Sequence, residues 1–304
     1  MKGSKISYQR TRLAPTPSGY LHLGNLASFI LTVGLARRYR ARILLRIDDL
    51  DRERYRMDYV EDIFSTLRFL GIPWDEGPRD AADFERNFSQ MHRLMVYMEN
   101  LDYLAAQDLL FACSCTRSTS GTNGDGCSGN CAKTRQSLTR EDVSWRLKGG
   151  VESTNNQSIK IHELNQKINT YSLSKQKLQI QVRRKNGLPS YHLGSVSDDL
   201  YFGVDLIVRG EDLLESTLMQ MHLASALNRD AFEGIVFVHH PLVVGSQGEK
   251  LSKTAGSESI YSMRKEGLDV RAIFNRVLRS ADIEGQSDNW EDCFSEIAKK
   301  WGFN

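Results

Sequence analysis

A chain of 304 residues with 40% hydrophobic and 26% charged side chains has enough apolar material for one large or two modest globular cores. Its longest apolar stretches, such as "LASFILTVGLA", are interrupted by Ser, Thr and Gly and fall short of the roughly 20 residues a membrane span needs; the N-terminal "MKGSKISYQR" is polar throughout, unlike a secretory leader. A cytoplasmic location with no membrane contact is therefore expected; the chain is also expected to be a monomer, and a formal net charge of +2 neither demands nor excludes a nucleic-acid partner.

Along the chain, "RTRLAPTPSG" reads as a short strand running into a loop. The turn "GYLHLGN", residues 19 to 25, follows, and Leu26, Phe29, Ile30, Val33 and Ala36 then recur at three and four residues, which predicts an amphipathic helix from near Asn25. "ARILLRI" is mostly apolar and β-rich, as in a buried parallel strand. Strand, glycine-bearing loop, helix and strand make a βαβ unit, whose helix N-terminus favours an anion. Gly19 and Gly24 give access for a phosphate or a flat base, and His22 adds a donor aimed at the same place. Taken alone, the turn is equally an ordinary helix cap. Arg37, Arg38, Arg40 and Arg42 in "RRYRAR" suit contacts to an RNA backbone and a solvated helix end alike.

Cys113, Cys115, Cys127 and Cys131 follow as C-x-C-x11-C-x3-C, in a chain with only Cys293 besides. In a cytosolic protein such clustered thiols favour a tetrahedral structural Zn²⁺ over disulfides, with free thiols as the alternative. "VESTNNQSIKIHELNQKINTYSLSKQ", residues 151 to 176, is polar and without a sustained period, and reads as a surface excursion. "QVRRKNG", residues 181 to 187, is a second basic candidate for RNA. In "VVGSQGEKLSKTAG", residues 243 to 256, Lys250 and Lys253 flank Ser252; lysines three apart in a flexible loop can turn toward one polyphosphate, although a solvated basic turn is the commoner fate. The tail "YSMRKEGLDVRAIFNRVLRSADI" has helical spacing.

"HLGN" and "KLSKT", in this order and about 230 residues apart, resemble the two motifs of class I aminoacyl-tRNA synthetases, His-Ile-Gly-His and Lys-Met-Ser-Lys-Ser. "RLAPTPSGYLHLGN", "LLRIDDLDRER", "GIPWDEGP", "GLPSYHLGSVSDD", "VRGEDLLESTLMQ" and "HHPLV" are similar to successive blocks of the glutamyl-tRNA synthetase catalytic region. The resemblance implies an α/β fold: a Rossmann-type parallel sheet in two halves, residues 1–112 and 188–256, a zinc-bearing insertion at 113–187 and a small helical appendage at 257–304. It implies adenylate formation from ATP and glutamate with Mg²⁺, a reaction between anions that rests on positioning and electrostatics. His22 is then assigned to the α-phosphate, Gly19, Gly24 and Asn25 to the nucleotide, and Lys250, Ser252 and Lys253 to the leaving pyrophosphate. Asn25 stands where the family has its second histidine. Arg12 and Arg209 are assigned to the substrate carboxylate, Ser18 (or Thr16) and Tyr191 add hydroxyls, and Asp48 is assigned to the α-ammonium. Asp48 stands where the family usually has glutamate, one methylene longer. The truncated relatives also carry a zinc site where this chain has its four cysteines.

Only about 48 residues follow the lysine loop, so the helical domains with which full-length members read the anticodon are not expected. The shorter form resembles the glutamyl-queuosine tRNA(Asp) synthetases, bacterial paralogues that attach glutamate to queuosine in the anticodon loop of tRNA(Asp). A compact glutamyl-tRNA synthetase, or an enzyme that passes the activated amino acid to a non-tRNA acceptor, are the alternatives.

Overall fold

The computed structural model describes residues 6–115, 127, 130–134, 136–149, 156–174, 177–243 and 259–303. In chain order the elements are β1 (Arg10–Leu13), α1 (Leu23–Tyr39), β2 (Arg42–Leu45), α2 (Met57–Phe69), the single turn α3 (Ala81–Asp83), α4 (Leu94–Ala106), β3 (Leu110–Cys113), the short α5 (Cys131–Thr134), β4 (Ser144–Leu147), β5 (Asn156–His162), β6 (Ile168–Ser174), β7 (Gln181–Arg183), α6 (Tyr191–Tyr201), β8 (Leu206–Gly210), α7 (Leu214–Ala226), β9 (Val236–His240), α8 (Ile260–Lys265), α9 (Val270–Ser280) and α10 (Trp290–Trp301). They fall into two compact units: Met1–His92 with Val204–Asp212 and Phe237–Asn304, and Arg93–Gly203 with Leu213–Val236. Among the described residues no helix is long and apolar enough to cross a membrane.

The first unit is built on the expected βαβ element. β1 and β2 pair in parallel from Arg10↔Arg42 to Leu13↔Leu45, with α1 as the crossover that parallel strands require. β8 packs beside β1, where the Asp205 carboxylate accepts the Gln9 and Arg10 backbone N–H groups at 2.8 and 2.9 Å. Leu13, Ile43, Leu45, Leu206 and Ile207 are buried, as in a sheet covered on both faces.

α1 departs from the amphipathic expectation, because residues 26 and 27 and the whole run from 29 to 36 are buried. One side of it meets β1 and β8, and another meets α9 and α10 of the C-terminal segment. The tail is thus three helices, two of which cover the crossover helix. Gly34 is where α10 comes nearest: a Cβ there would lie 2.0 Å from the Phe294 ring. Gly34→Ala is expected to lower Tm, because overpacking of about 1–3 kcal/mol exceeds the ~1 kcal/mol gain in helix propensity. Thermal unfolding of Gly34→Ala, Phe294→Ala and the double variant checks this. The two changes should be less destabilising together than the sum of each alone, and a Gly34→Ala protein as stable as the parent would contradict the contact.

In the second unit, β3, β4 and β7 form an antiparallel sheet in that order. α4 packs on α6, and α6 on α7. The α4–α6 contact holds a buried ion pair: Arg93 Nε and Nη2 donate to Asp198 at 2.9 and 3.0 Å, and the Tyr97 hydroxyl donates to the same carboxylate at 2.7 Å. Within the segment read as a surface excursion, residues 156–174 form an antiparallel hairpin, β5 with β6, whose second strand is mostly exposed. Ile159, Ile161 and Leu173 are its buried positions. Their alternation spans only "SIKIH" on the first strand, too short a run to stand out in polar sequence.

Candidate active site and metal centre

The turn at 19 to 25 closes as a reciprocal cap. His22 takes an extended backbone (φ −121°, ψ 172°) at the N-cap of α1, its Nδ1 accepts the Asn25 backbone N–H at 3.3 Å, and Asn25 Oδ1 accepts the His22 N–H at 3.1 Å. With Nδ1 as acceptor, the neutral imidazole carries its proton on Nε2. The cap and the donor, alternatives in the sequence, are therefore compatible: one nitrogen caps while the other carries the proton. Gly24 makes room for the ring, since a Cβ there would lie 3.0 Å from His22 Cε1 and 3.3 Å from Val243 Cγ2. Gly19 and Ser18 sit half-buried ahead of the cap, with the Ser18 N–H donating to the Thr16 carbonyl at 2.8 Å.

Lys250, Ser252 and Lys253 lie outside the described residues. The residues that border their segment converge on the cap. Val243 faces Gly24. Ser259 forms an antiparallel bridge with His22, and the Ile260 N–H donates to the Leu21 carbonyl at 2.8 Å. Tyr261 stacks on Tyr20 with ring centroids 4.2 Å apart and planes 6° from parallel.

Three assigned recognition residues belong to the same unit. Arg12 on β1 is buried and its Nη1 donates to the Val208 carbonyl at 3.4 Å, one residue from Arg209 on β8. The Arg209 guanidinium is also buried, 5.1 Å from the Phe237 ring centroid. Asp48 follows β2, and its N–H donates to the Pro15 carbonyl at 2.9 Å. Its carboxylate takes two bonds from the buried Arg46, at 2.7 and 3.1 Å. Tyr191 lies in the other unit, 45% exposed, as the first residue of α6.

Several residues at this site were not singled out from the sequence. Asp49 has a fully buried carboxylate that accepts from Ser89 Oγ (2.6 Å), the Gln90 N–H (2.8 Å) and Arg52 Nη1 (2.6 Å). This locks the backbone next to Asp48. His239 stacks on Phe237; burial, helped by the Arg209 charge, pushes its pKa down to about 3, so it is a neutral ring at physiological pH. The "HH" of "HHPLV" was its only trace in the sequence.

In the second unit the four cysteines come together at the end of β3 and the start of α5, with all four sulfurs within 4.8 Å of one another. Cys115 Sγ lies 3.9 Å from Cys127 Sγ and 3.5 Å from Cys131 Sγ. A tetrahedral Zn²⁺ with bonds of about 2.3 Å requires sulfurs about 3.8 Å apart, so the donor set fits such an ion. The thiols are unbridged, and Cys113, Cys127 and Cys131 are buried. Burial pushes the Cys113 thiol up to about 12, so a thiolate there requires a cation beside it. The basic "QVRRKNG" segment is engaged locally: Arg183 lies over the Trp145 ring, Arg184 donates to the Pro189 carbonyl and Lys185 to the Ser114 carbonyl.

Comparison with known proteins places this geometry. Residues 9–289 match the model of the class I tRNA synthetase (E and Q) catalytic domain. A glutamyl-Q tRNA(Asp) synthetase of Nitratidesulfovibrio vulgaris is 32% identical over 91% of this chain and 84% of its own length. A glutamate–tRNA ligase of Nitrosococcus oceani is 31% identical over 89% of this chain but 58% of its own length, and one from a Sulfurihydrogenibium species is 29% identical over 57% of its own length. The chain thus spans a little under three-fifths of the ligases it matches. In fold it is similar to the crystal structure of a glutamate tRNA ligase of Elizabethkingia meningosepticum, with a TM-score of 0.72 at 21% identity over 97% of this chain and 66% of that one. A catalytic-domain match across nearly the whole chain, with its first motif built as a helix cap in a parallel βαβ unit, establishes that the chain belongs to the class I tRNA synthetases of the glutamyl and glutaminyl type.

Proposed function

We propose that the chain joins glutamate to ATP as glutamyl adenylate, releasing pyrophosphate, and passes the glutamyl group to a hydroxyl of queuosine in the anticodon loop of tRNA(Asp), releasing AMP. The observation that carries the activation step is the convergence at the cap. Val243 and Ser259, on either side of the segment bearing Lys250 and Lys253, both meet the His22–Gly24 turn. A carboxylate oxygen of glutamate attacks the α-phosphorus and the bond to pyrophosphate breaks. The His22 Nε2–H stabilises the charge on the α-phosphate, Gly19, Gly24 and Asn25 border the nucleotide, and Lys250, Ser252 and Lys253 hold the leaving pyrophosphate. Arg12 and Arg209 grip the side-chain carboxylate as planar forks, Asp48 receives the α-ammonium, and Ser18 and Tyr191 supply hydroxyls. Mg²⁺ accompanies the ATP phosphates. Zn²⁺ on Cys113, Cys115, Cys127 and Cys131 would cross-link that segment. Residues 1–112 and 188–256 are then the catalytic halves, 113–187 the insertion and 257–304 the appendage.

The acceptor assignment is supported by the relative named for glutamyl-Q tRNA(Asp), 84% of whose length this chain covers. An anticodon loop suits such an acceptor, because its unstacked bases can be splayed into a pocket, and the queuosine diol offers hydroxyls like those of a terminal ribose. The purified protein is expected to exchange pyrophosphate into ATP with glutamate and without tRNA, and to label tRNA(Asp) containing queuosine but not the unmodified form. Mapping the labelled fragment after nuclease digestion locates the ester. Glutamate on the 3′-terminal adenosine would make the chain a compact glutamyl-tRNA synthetase, in keeping with the 31% identical ligase; no exchange with glutamate would remove the activation reading.

A further inference from the structure

The arginine cluster of "RRYRAR" has no part in the reaction described above. α1 is 17 residues long, which sets about 25 Å of helix between the His22 cap and the opposite end. At that end lies a hollow of about 350 Å³ lined by Ala36, Arg37, Arg40, Ala41, Arg42 and Asp75. Arg37 Nη2 meets Asp75 at 3.4 Å, and Arg42 meets Glu76 at 2.9 Å with its side chain 70% exposed. Arg10 bonds to the same Glu76. Arg38 turns away, over the Phe294 ring and onto the Phe303 carbonyl. The exposed Arg40 side chain makes no ion pair among the described residues. The hollow itself is thus lined by three arginines, Arg37, Arg40 and Arg42, and one carboxylate, Asp75, and the charge of its lining is positive.

The backbone gives a second, independent observation. Arg40 is the C-cap of α1 in the left-handed conformation (φ 59°, ψ 29°), a position where helices most often place glycine or asparagine. An arginine held there carries backbone strain, and its side chain is exposed at the helix end where it lines the hollow. The Arg40 and Ala41 N–H groups both donate to the Ala36 carbonyl, which closes an acceptor that would otherwise repel an anion.

We propose that this hollow is a second RNA contact, in which Arg40 and Arg42 bind phosphodiester oxygens of the acceptor RNA at a distance from the reacting nucleotide. The inference rests on the reading of an RNA acceptor. A small phosphate would find an open hollow and guanidinium groups already shared with carboxylates. A duplex stem running from the anticodon loop presents phosphates in series, so that several weak contacts add. Such contacts position an RNA without reading its sequence, and they release counterions.

The test is the salt dependence of total tRNA binding, with glutamate-dependent pyrophosphate exchange measured in parallel. Arg40→Gln with Arg42→Gln is expected to weaken binding about tenfold near 0.1 M salt and to make the slope of log affinity against log salt shallower by about 2. Exchange and Tm should stay at the parent values, and Arg40→Lys with Arg42→Lys should keep most of the affinity. Arg79→Gln, at a side chain 87% exposed in the same unit, should leave the slope unchanged. Parental slope and affinity in the glutamine pair would overturn the proposal, as would an equal loss in Arg79→Gln or a loss of exchange with RNA binding retained. A parent protein that exchanges pyrophosphate but binds no tRNA would overturn it too, while leaving the activation reading intact.

Discussion

His22→Asn is expected to slow glutamate-dependent pyrophosphate exchange by about 10²-fold or more, the usual scale for removing a transition-state donor, while Tm stays close to that of the parent. The choice of asparagine follows from the double duty of this residue. Nδ1 of His22 accepts the Asn25 N–H and closes the N-terminus of α1, and asparagine is itself a favoured N-cap, so its amide oxygen can take over that bond. What asparagine lacks is a second ring nitrogen carrying a proton outward. His22→Ala removes both functions and should show the same kinetic loss together with about 1 kcal/mol of stability. The kinetic defect and the stability defect therefore separate between the two variants. Exchange at the parent rate in His22→Asn would mean that the imidazole is a cap and nothing more, and the turn would lose its assignment as the activation site.

What could be read in the sequence was whatever depends on near neighbours. The strand at "RTRL", the buried strand in "ARILLRI" and the helix between them were legible from period and punctuation, although α1 begins at Leu23, before Asn25, because the cap is His22 itself. The cysteine cluster was legible for the same reason: its four members sit within 19 residues. Burial of α1 on several faces was not, since the helix that covers it, α10, follows some 250 residues later and leaves no mark on the period of α1. Nor was the setting of Asp48. Its partner Arg46 is two residues away on the chain, and the neighbouring Asp49 is fixed by Ser89 and Gln90, about 40 residues on, through bonds that only the folded loop brings within 3 Å. Motif position identified Asp48, Arg12 and Arg209 as candidates, but the ion pair that orients Asp48 is a product of packing.

Protein purified without added metal is expected to carry about one Zn²⁺ per chain by elemental analysis, and Cys127→Ser is expected to lose the metal and local order together. The two losses are linked because the apolar support close to the sulfurs is slight. Among the described residues the buried apolar support around the four sulfurs is Phe111, with Ala132 packed at its edge, and α5 is a helix of 4 residues, too short to persist in isolation. Three remaining cysteines cannot complete a closed tetrahedral site, and thiols in that setting revert to the protonated form that burial favours, as the raised Cys113 shows. Hydrogen exchange at residues 114–115 and 130–134 is the readout: protection there should fall in Cys127→Ser and in chelated parent protein alike, while α4 and α6 of the same unit, joined through Arg93 and Asp198, keep theirs. Cys127→His supplies a different ligand compatible with three thiolates and should recover part of both metal content and protection. A metal-free parent with full protection across these residues, or a serine variant that retains stoichiometric zinc, would show that the cysteines are a packed cluster of free thiols.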